Sequence, residues 1–167
     1  MSTAGTASPG PVMVVRAPLA GTVRPLAETP DAVFAAYLLG PGLVVDPVRG
    51  DGGPVRVLAP VDGTLVKVHP HAFVVAAPDG RAVLVHLGLD TVQLAGTGFD
   101  VVATEGAAVA AGEVVVTWHP NRVETSGRSP LCPVVALEAA PEAVRTAAPV
   151  GATVAAGDAL LEWRPAG

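Results

Sequence analysis

Four histidines stand in this chain of 167 residues: His69, His71, His86 and His119. His69 and His71 flank a proline in "VKVHPHAFVV", and His86 follows in the apolar run "VLVHLGLD". Imidazole changes charge near neutral pH, is a good neutral nucleophile and binds metals. His71 and His86 therefore admit four readings: a metal site, a general-base pair, a pair that carries a phosphoryl group, or structural filler. A lone apolar-face histidine is ordinarily a satisfied packing residue. Two imidazoles on one face are harder to explain that way, because burial penalises a charged ring and a packed core gains nothing from a second one. Asp90 lies four residues after His86, so His-x-His and His-x3-Asp together also read as zinc ligands. The plainer reading of Asp90 is a turn residue in "GLDT". His69 either joins the pair or merely precedes the turn-forming Pro70. His119, in "WHPN", is a loop histidine without a partner and is given no role.

Little else in the sequence carries chemistry. Lys67 is the only lysine and lies in "LVKV", so there is no Walker lysine motif. No Gly-x-Ser-x-Gly elbow occurs. Cys132 is the only cysteine, which excludes an internal disulfide and a cysteine zinc knuckle, and its setting in "PLCPVV" is that of an inert buried thiol. A chain that lacks its own nucleotide site must receive any phosphoryl group from another protein. A net charge of -5 with scattered arginines argues against nucleic acid, which needs clustered basic residues. No run approaches the ~18 apolar residues of a membrane span, and "MSTAGTASPGP" lacks the features of a signal peptide, so a cytoplasmic domain is expected.

The elements that must position the histidines are strands. Half of the residues are hydrophobic, and 19 Gly and 17 Pro punctuate them too often for a helical bundle. Residues 1–11 read as a mobile tail and 12–167 as one domain. Strands are expected at 12–17, 42–46, 55–59, 64–69, 72–77, 81–87, 113–118, 132–138 and 159–163, with helical turns at 31–38, 120–126 and 141–147. "PDGR" (78–81) reads as a tight two-residue turn, which puts His71 and His86 on adjacent antiparallel strands as same-face diagonal neighbours. Two internal echoes point to duplication. "APLAGTVRPL" (17–26) resembles "APVDGTLVKV" (59–68), and "EGAAVAAGEVVVTW" (105–118) resembles "VGATVAAGDALLEW" (150–163). Similar units at similar offsets predict two halves of one all-β body related by a pseudo-dyad.

"APVDGTLVKVHPHAF" followed by "VLVHLGLDTVQLAGTGF" resembles the glucose-class enzyme IIA domain of the bacterial sugar phosphotransferase system, and the similarity runs over about residues 14 to 163. The resemblance implies an antiparallel β-sandwich of the duplicated hybrid motif type. It implies that His86 is the phosphorylated nucleophile, that His71 stabilises the phosphate, and that the Gly88 carbonyl takes the Nδ1 proton of His86. It implies the phosphocarrier HPr as donor, the IIB domain of a sugar permease as acceptor, and a docking patch of Asp31, Val33, Phe34, Leu39, Asp90 and Val92. For Val33 and Phe34 the alternative is ordinary core. No cofactor is implied, although two imidazoles facing a cavity recruit zinc adventitiously. The chain departs from the family pattern at His69, where a threonine is expected, and at Leu84, a position that can be phenylalanine.

Three other classes compete. A zinc hydrolase would use His71, His86 and Asp90, but the order of the two motifs is the reverse of that expected in peptidases of similar fold. A biotinyl or lipoyl carrier needs an exposed hairpin lysine, and Lys67 lies within a strand. A regulatory binding module is compatible with a phosphoryl relay and adds to it.

Overall fold

In a computed structural model of the protein, residues 11–165 are described. The tail expected over 1–11 falls, but for Pro11, outside them. The strands are β1 (Met13–Arg16), β2 (Gly21–Pro25), β3 (Gly42–Pro47), β4 (Val55–Leu58), β5 (Gly63–His69), β6 (Ala72–Ala76), β7 (Ala82–His86), β8 (Phe99–Val101), β9 (Ala108–Val109), β10 (Val114–Trp118), β11 (Cys132–Ala136), β12 (Val144–Thr146), β13 (Thr153–Val154) and β14 (Ala159–Trp163). Two short helices, α1 (Ala32–Ala35) and α2 (Pro120–Thr125), interrupt them. The Asp31 side chain caps α1 by accepting from the Val33 N–H at 2.9 Å, and Pro120 opens α2, where its missing N–H costs nothing.

The strands form an eight-stranded antiparallel sheet in the order β13-β2-β3-β11-β7-β6-β5-β9 and two three-stranded sheets, β1-β14-β12 and β4-β10-β8. This is the antiparallel all-β architecture expected, and each of the nine expected strands is present. β2, β8, β9, β12 and β13 are additional; all but the five-residue β2 have three residues or fewer. The helical turn expected over 141–147 is corrected: only Pro141–Ala143 is helical, as a 3-10 turn, and Val144–Thr146 pairs with β14 instead. β-Branched Val144 and Thr146 suit that half-buried edge.

The duplication is visible in the pairing. Gly21 opposes Val154 and Gly63 opposes Val109, so each copy of the first echo pairs with a copy of the second. Met13 opposes Trp163 as Val55 opposes Trp118, and Val144 opposes Trp163 as Phe99 opposes Trp118. The order of the large sheet is the same read from either end once β13, β2, β3 and β11 are matched with β9, β5, β6 and β7. The main core lies between the sheets and contains both tryptophans. A second, smaller cluster covers the other face of the large sheet: Leu26, Phe34, Val44, Leu89 and Val135, edged by Leu39, Leu84, Leu131 and Leu137. In β7, Val83 and Val85 face the main core, while Ala82, Leu84 and His86 alternate to this outer face.

The paired glycines have the same reason to be glycine. A Cβ on Gly21 would stand 2.2 Å from the Asp46 carbonyl oxygen, and one on Gly63 2.1 Å from that of Ala76. Gly21→Ala and Gly63→Ala should therefore each destabilise the protein by about 1–3 kcal/mol, as overpacked sites do. Chemical denaturation should return losses of similar size for the two, and an effect at one alone would break the equivalence.

Candidate active site

His86 is the last residue of β7, and the chain turns sharply after it. Gly88 takes a left-handed φ of 78°, and its carbonyl accepts the Nδ1–H of His86 at 2.6 Å. A carbonyl only accepts, so the proton sits on Nδ1 and Nε2 keeps its lone pair. No other residue fits at Gly88: a Cβ there would lie 2.6 Å from Thr91 Cγ2 and 2.8 Å from the Ser129 carbonyl oxygen. The turn is fastened at several points. The Leu87 N–H donates to the His71 carbonyl at 2.7 Å, the Leu89 N–H to the Ser129 carbonyl at 2.9 Å, and the buried Thr91 hydroxyl to the Leu87 carbonyl at 2.7 Å.

His71 and His86 come together by a different route from the one the sequence implies. The β6–β7 loop runs from Ala77 to Arg81 and is closed by the Ala77 N–H donating to the Arg81 carbonyl at 2.8 Å, which leaves three residues, Pro78 to Gly80, in the turn rather than two; Asp79 accepts from both the backbone and the side chain of Arg81. The ladder consequently pairs Ala72 with His86. Extended by one residue, it would aim position 71 at the opposite face. His71 escapes that constraint because it is not on a strand: Pro70 and His71 form the tight turn between β5 and β6, where His69 opposes Ala72. From there its ring reaches His86 edge to face, with centroids 5.3 Å apart and planes at 75°. Phe34 meets His86 from α1 at 5.3 Å. His69, exposed, lies stacked on His71 at 5.7 Å and 24°.

Burial lowers the pKa of His86 below its ordinary value of 6.5, while the Gly88 carbonyl, Asp31 and Asp90 pull the other way without prevailing. His71 is lowered too, by burial first and then by His86 and His69. Both rings are neutral at pH 7. The arrangement is a neutral imidazole of fixed tautomer with a second imidazole beside it.

Around the pair, Val33 (42% exposed) and Val92 (61%) present apolar surface, with Asp31 half-buried and Asp90 exposed. Two expected patch residues are covered rather than exposed: Phe34, whose ring meets His86, is buried in the outer-face cluster, and half-buried Leu39 packs against it. The exposed neighbours of Leu39 are Tyr37 and Leu38, the latter 72% exposed, because Tyr37 takes a left-handed φ of 58° and turns the chain before Leu39. Sequence reasoning missed Thr91 and Ser129. Thr91 at least adjoins the histidine run, but a backbone carbonyl such as that of Ser129 leaves no residue-type signal. His119 precedes α2 away from the pair, and Lys67 stands within β5 opposite Val74. The Cys132 thiol is pushed up to about 12 by complete burial. Among the described residues no group of three or more His, Cys, Asp or Glu side chains is placed to hold a metal, so the zinc-hydrolase reading of His71, His86 and Asp90 finds no support.

A strand-borne histidine with its Nδ1 proton pinned to a carbonyl, a second histidine against it and an acidic, apolar rim are features chemically suited to a histidine phosphocarrier. Comparison with known proteins agrees. Residues 13–142 match the family described as phosphoenolpyruvate-dependent sugar phosphotransferase system, EIIA 1. The glucose-specific EIIA component of Bacillus cereus is 35% identical over 133 residues, 78% of each chain. The mannose-specific EIIBCA component of Corynebacterium glutamicum is 38% identical over 133 residues, 78% of this chain and 19% of that longer one. The structure of glucose permease IIA from Mycoplasma capricolum superposes with a TM-score of 0.81 at 32% identity, covering 92% of this chain and 96% of that one. The chain belongs to this EIIA family and is a phosphocarrier component of the sugar phosphotransferase system.

The lowered histidine pKa values set a pH dependence of stability. Unfolded, both rings titrate near 6.5; folded, both accept a proton only at lower pH. Below 6.5 the unfolded chain binds more protons, so the stability these rings contribute is fully present above 6.5 and is lost as pH falls below it. Denaturation midpoints should fall over that range more steeply for the native protein than for a His71→Gln/His86→Gln variant. Parallel slopes would refute the depressed values.

Proposed function

We propose that His86 accepts a phosphoryl group on Nε2 from the phosphocarrier HPr and passes it to the IIB domain of a sugar permease. The observation that carries this reading is the 2.6 Å bond from His86 Nδ1–H to the Gly88 carbonyl, which leaves Nε2 as the nitrogen with a lone pair. In the forward step that lone pair attacks phosphorus. A new N–P bond forms while the donor's N–P bond breaks and its electron pair returns to the donor ring. The proton stays on Nδ1, donated to the Gly88 carbonyl, whose oxygen stabilises the cationic character of the phosphorylated ring. His71 stands close enough to donate to the phosphate oxygens. Phosphoryl transfer requires mainly positioning and charge stabilisation, which this pair supplies without a metal or cofactor.

Asp31 and Asp90 flank the ring and suit a basic partner surface, while Val33 and Val92 supply apolar contact. Phe34 and Leu39 brace that surface from beneath. The IIB assignment draws support from the Corynebacterium relatives, named as EIIBCA components, in which this chain matches only a fifth of the length. No helix among the described residues is long and apolar enough to cross a membrane. Exchange with HPr places the domain in the cytoplasm.

The test is phosphoryl transfer in vitro. The protein, mixed with phosphoenolpyruvate, enzyme I and HPr from its own organism, should gain one acid-labile, alkali-stable phosphoryl group by intact mass. His86→Ala should gain none. His71→Ala should accept the group and donate it poorly to a IIB domain. A folded native protein that takes up nothing would overturn the relay.

A further inference from the structure

We propose that Thr91 is a positioning residue that sets which nitrogen of His86 carries the proton, an inference that rests on the relay proposed above for its role in turnover. Thr91 and Thr29 are the buried polar residues of the described chain. A buried hydroxyl must be bonded, and Thr91 uses its own on the Leu87 carbonyl, 2.7 Å away. Its other branch is used as well. Thr91 Cγ2 stands 2.6 Å from the position a Cβ on Gly88 would take, so the methyl lies directly against the Gly88 backbone. One side chain thus grips the chain on both sides of the Leu87–Gly88 peptide.

That grip reaches the reactive ring through two peptide planes. The first, Leu87–Gly88, is held at its oxygen by the Thr91 hydroxyl. The second, Gly88–Leu89, carries at its two ends the groups that matter. Its N–H donates to the Ser129 carbonyl at 2.9 Å, and its carbonyl faces the opposite way, as a trans peptide requires, toward His86 Nδ1. Gly88 is the soft joint between the planes, since a glycine at a φ of 78° has no side chain to resist rotation. Asp90, next to Thr91, is itself left-handed at 59°, a conformation aspartate takes more readily than most side chains, and it completes the reversal that brings Thr91 back over Gly88. Without the hydroxyl, the Leu87 carbonyl is buried and unpaired, and the turn gains by rotating at Gly88. The Gly88 carbonyl then leaves Nδ1, and the ring proton redistributes between its two nitrogens. With the proton on Nε2, the nitrogen facing the partner has no lone pair to offer.

The two branches of Thr91 separate experimentally. Thr91→Val keeps the methyl and removes the hydroxyl; Thr91→Ser keeps the hydroxyl and removes the methyl. The direct readout is the 15N chemical shifts of the His86 ring nitrogens, which report the tautomer without any phosphoryl transfer. The native protein and Thr91→Ser should show Nδ1–H, and Thr91→Val should show shifts moved toward a mixture of tautomers. Uptake from phosphorylated HPr should fall about 10- to 100-fold in Thr91→Val, the usual effect of removing a group that orients a reactive imidazole, and should be largely kept in Thr91→Ser. A native tautomer in folded Thr91→Val overturns the inference, whatever its rate. So does a lost tautomer in Thr91→Ser, which tests the hydroxyl even if the valine variant does not fold. A tautomer that shifts in Thr91→Val while the native protein itself takes up no phosphoryl group upholds Thr91 and overturns the relay.

Discussion

The bond from His86 Nδ1–H to the Gly88 carbonyl organises everything around it. It spans only two residues, so it can form only if the chain reverses at once after β7. That reversal needs a left-handed residue without a Cβ, and the space beside Gly88 is already occupied by Thr91 and the Ser129 carbonyl. The bond makes the two nitrogens of one ring chemically distinct. One is spent on the protein's own backbone, and the other is left for a partner. A neutral imidazole with no such constraint would divide its population between tautomers, and each molecule in the wrong form would be idle.

The ring's neutrality comes from its position between two regimes of burial. The large sheet has one face sealed by the main core and the other covered only by the small cluster of Leu26, Phe34, Val44, Leu89 and Val135. His86 sits on the less covered face, where Phe34 and His71 shield it without enclosing it. Deeper burial would hide Nε2 from a partner. Fuller exposure would let the ring take up a proton near 6.5, and Asp31 and Asp90 would encourage it. The outcome is a balance in which desolvation exceeds the attraction of the carboxylates. The proposed relay would need the same compromise in its contacts, since a partner docked on the rim would have to leave again.

Much of this was legible in the sequence, and the limits are specific. The longer apolar runs became strands because burial on both faces, as in Cys132–Ala136, leaves a continuous hydrophobic signature. β9 and β13 have two residues each and exist only through their partners, so no local signal marks them. The histidine pair was recognisable as a pair, but its geometry was not. "PDGR" suggests a tighter turn than forms, and the extra length changes the ladder by one residue, which reverses the predicted facing. Proximity survives because His71 lies in a turn, where the pleat does not dictate direction. The exchange of Leu39 for Leu38 at the surface has a similar origin: a tyrosine in the left-handed region is imposed by tertiary contacts and cannot be read from "AYLLG".

The duplication explains why the site is single. The β6–β7 pair of Ala72 with His86 has its counterpart in the β3–β11 pair of Gly42 with Val135. Val135 is fully buried in the outer-face cluster, where a histidine would have no route to a partner. The difference lies in one connection. In the second half, β5 passes to β6 through the tight Pro70–His71 turn, which leaves the end of β7 open and places His71 beside it. In the first half, the corresponding passage from β2 to β3 is the excursion of residues 26–41, which carries α1 and folds Phe34 over the sheet. That excursion covers its own half's equivalent position and at the same time supplies Phe34 to His86 and Asp31 and Val33 to the rim. One half thus contributes the two histidines and the other the surface that shields them. The ring that the proposed relay uses therefore depends on both halves, its two histidines on one and its Phe34 shield on the asymmetric insertion of the other.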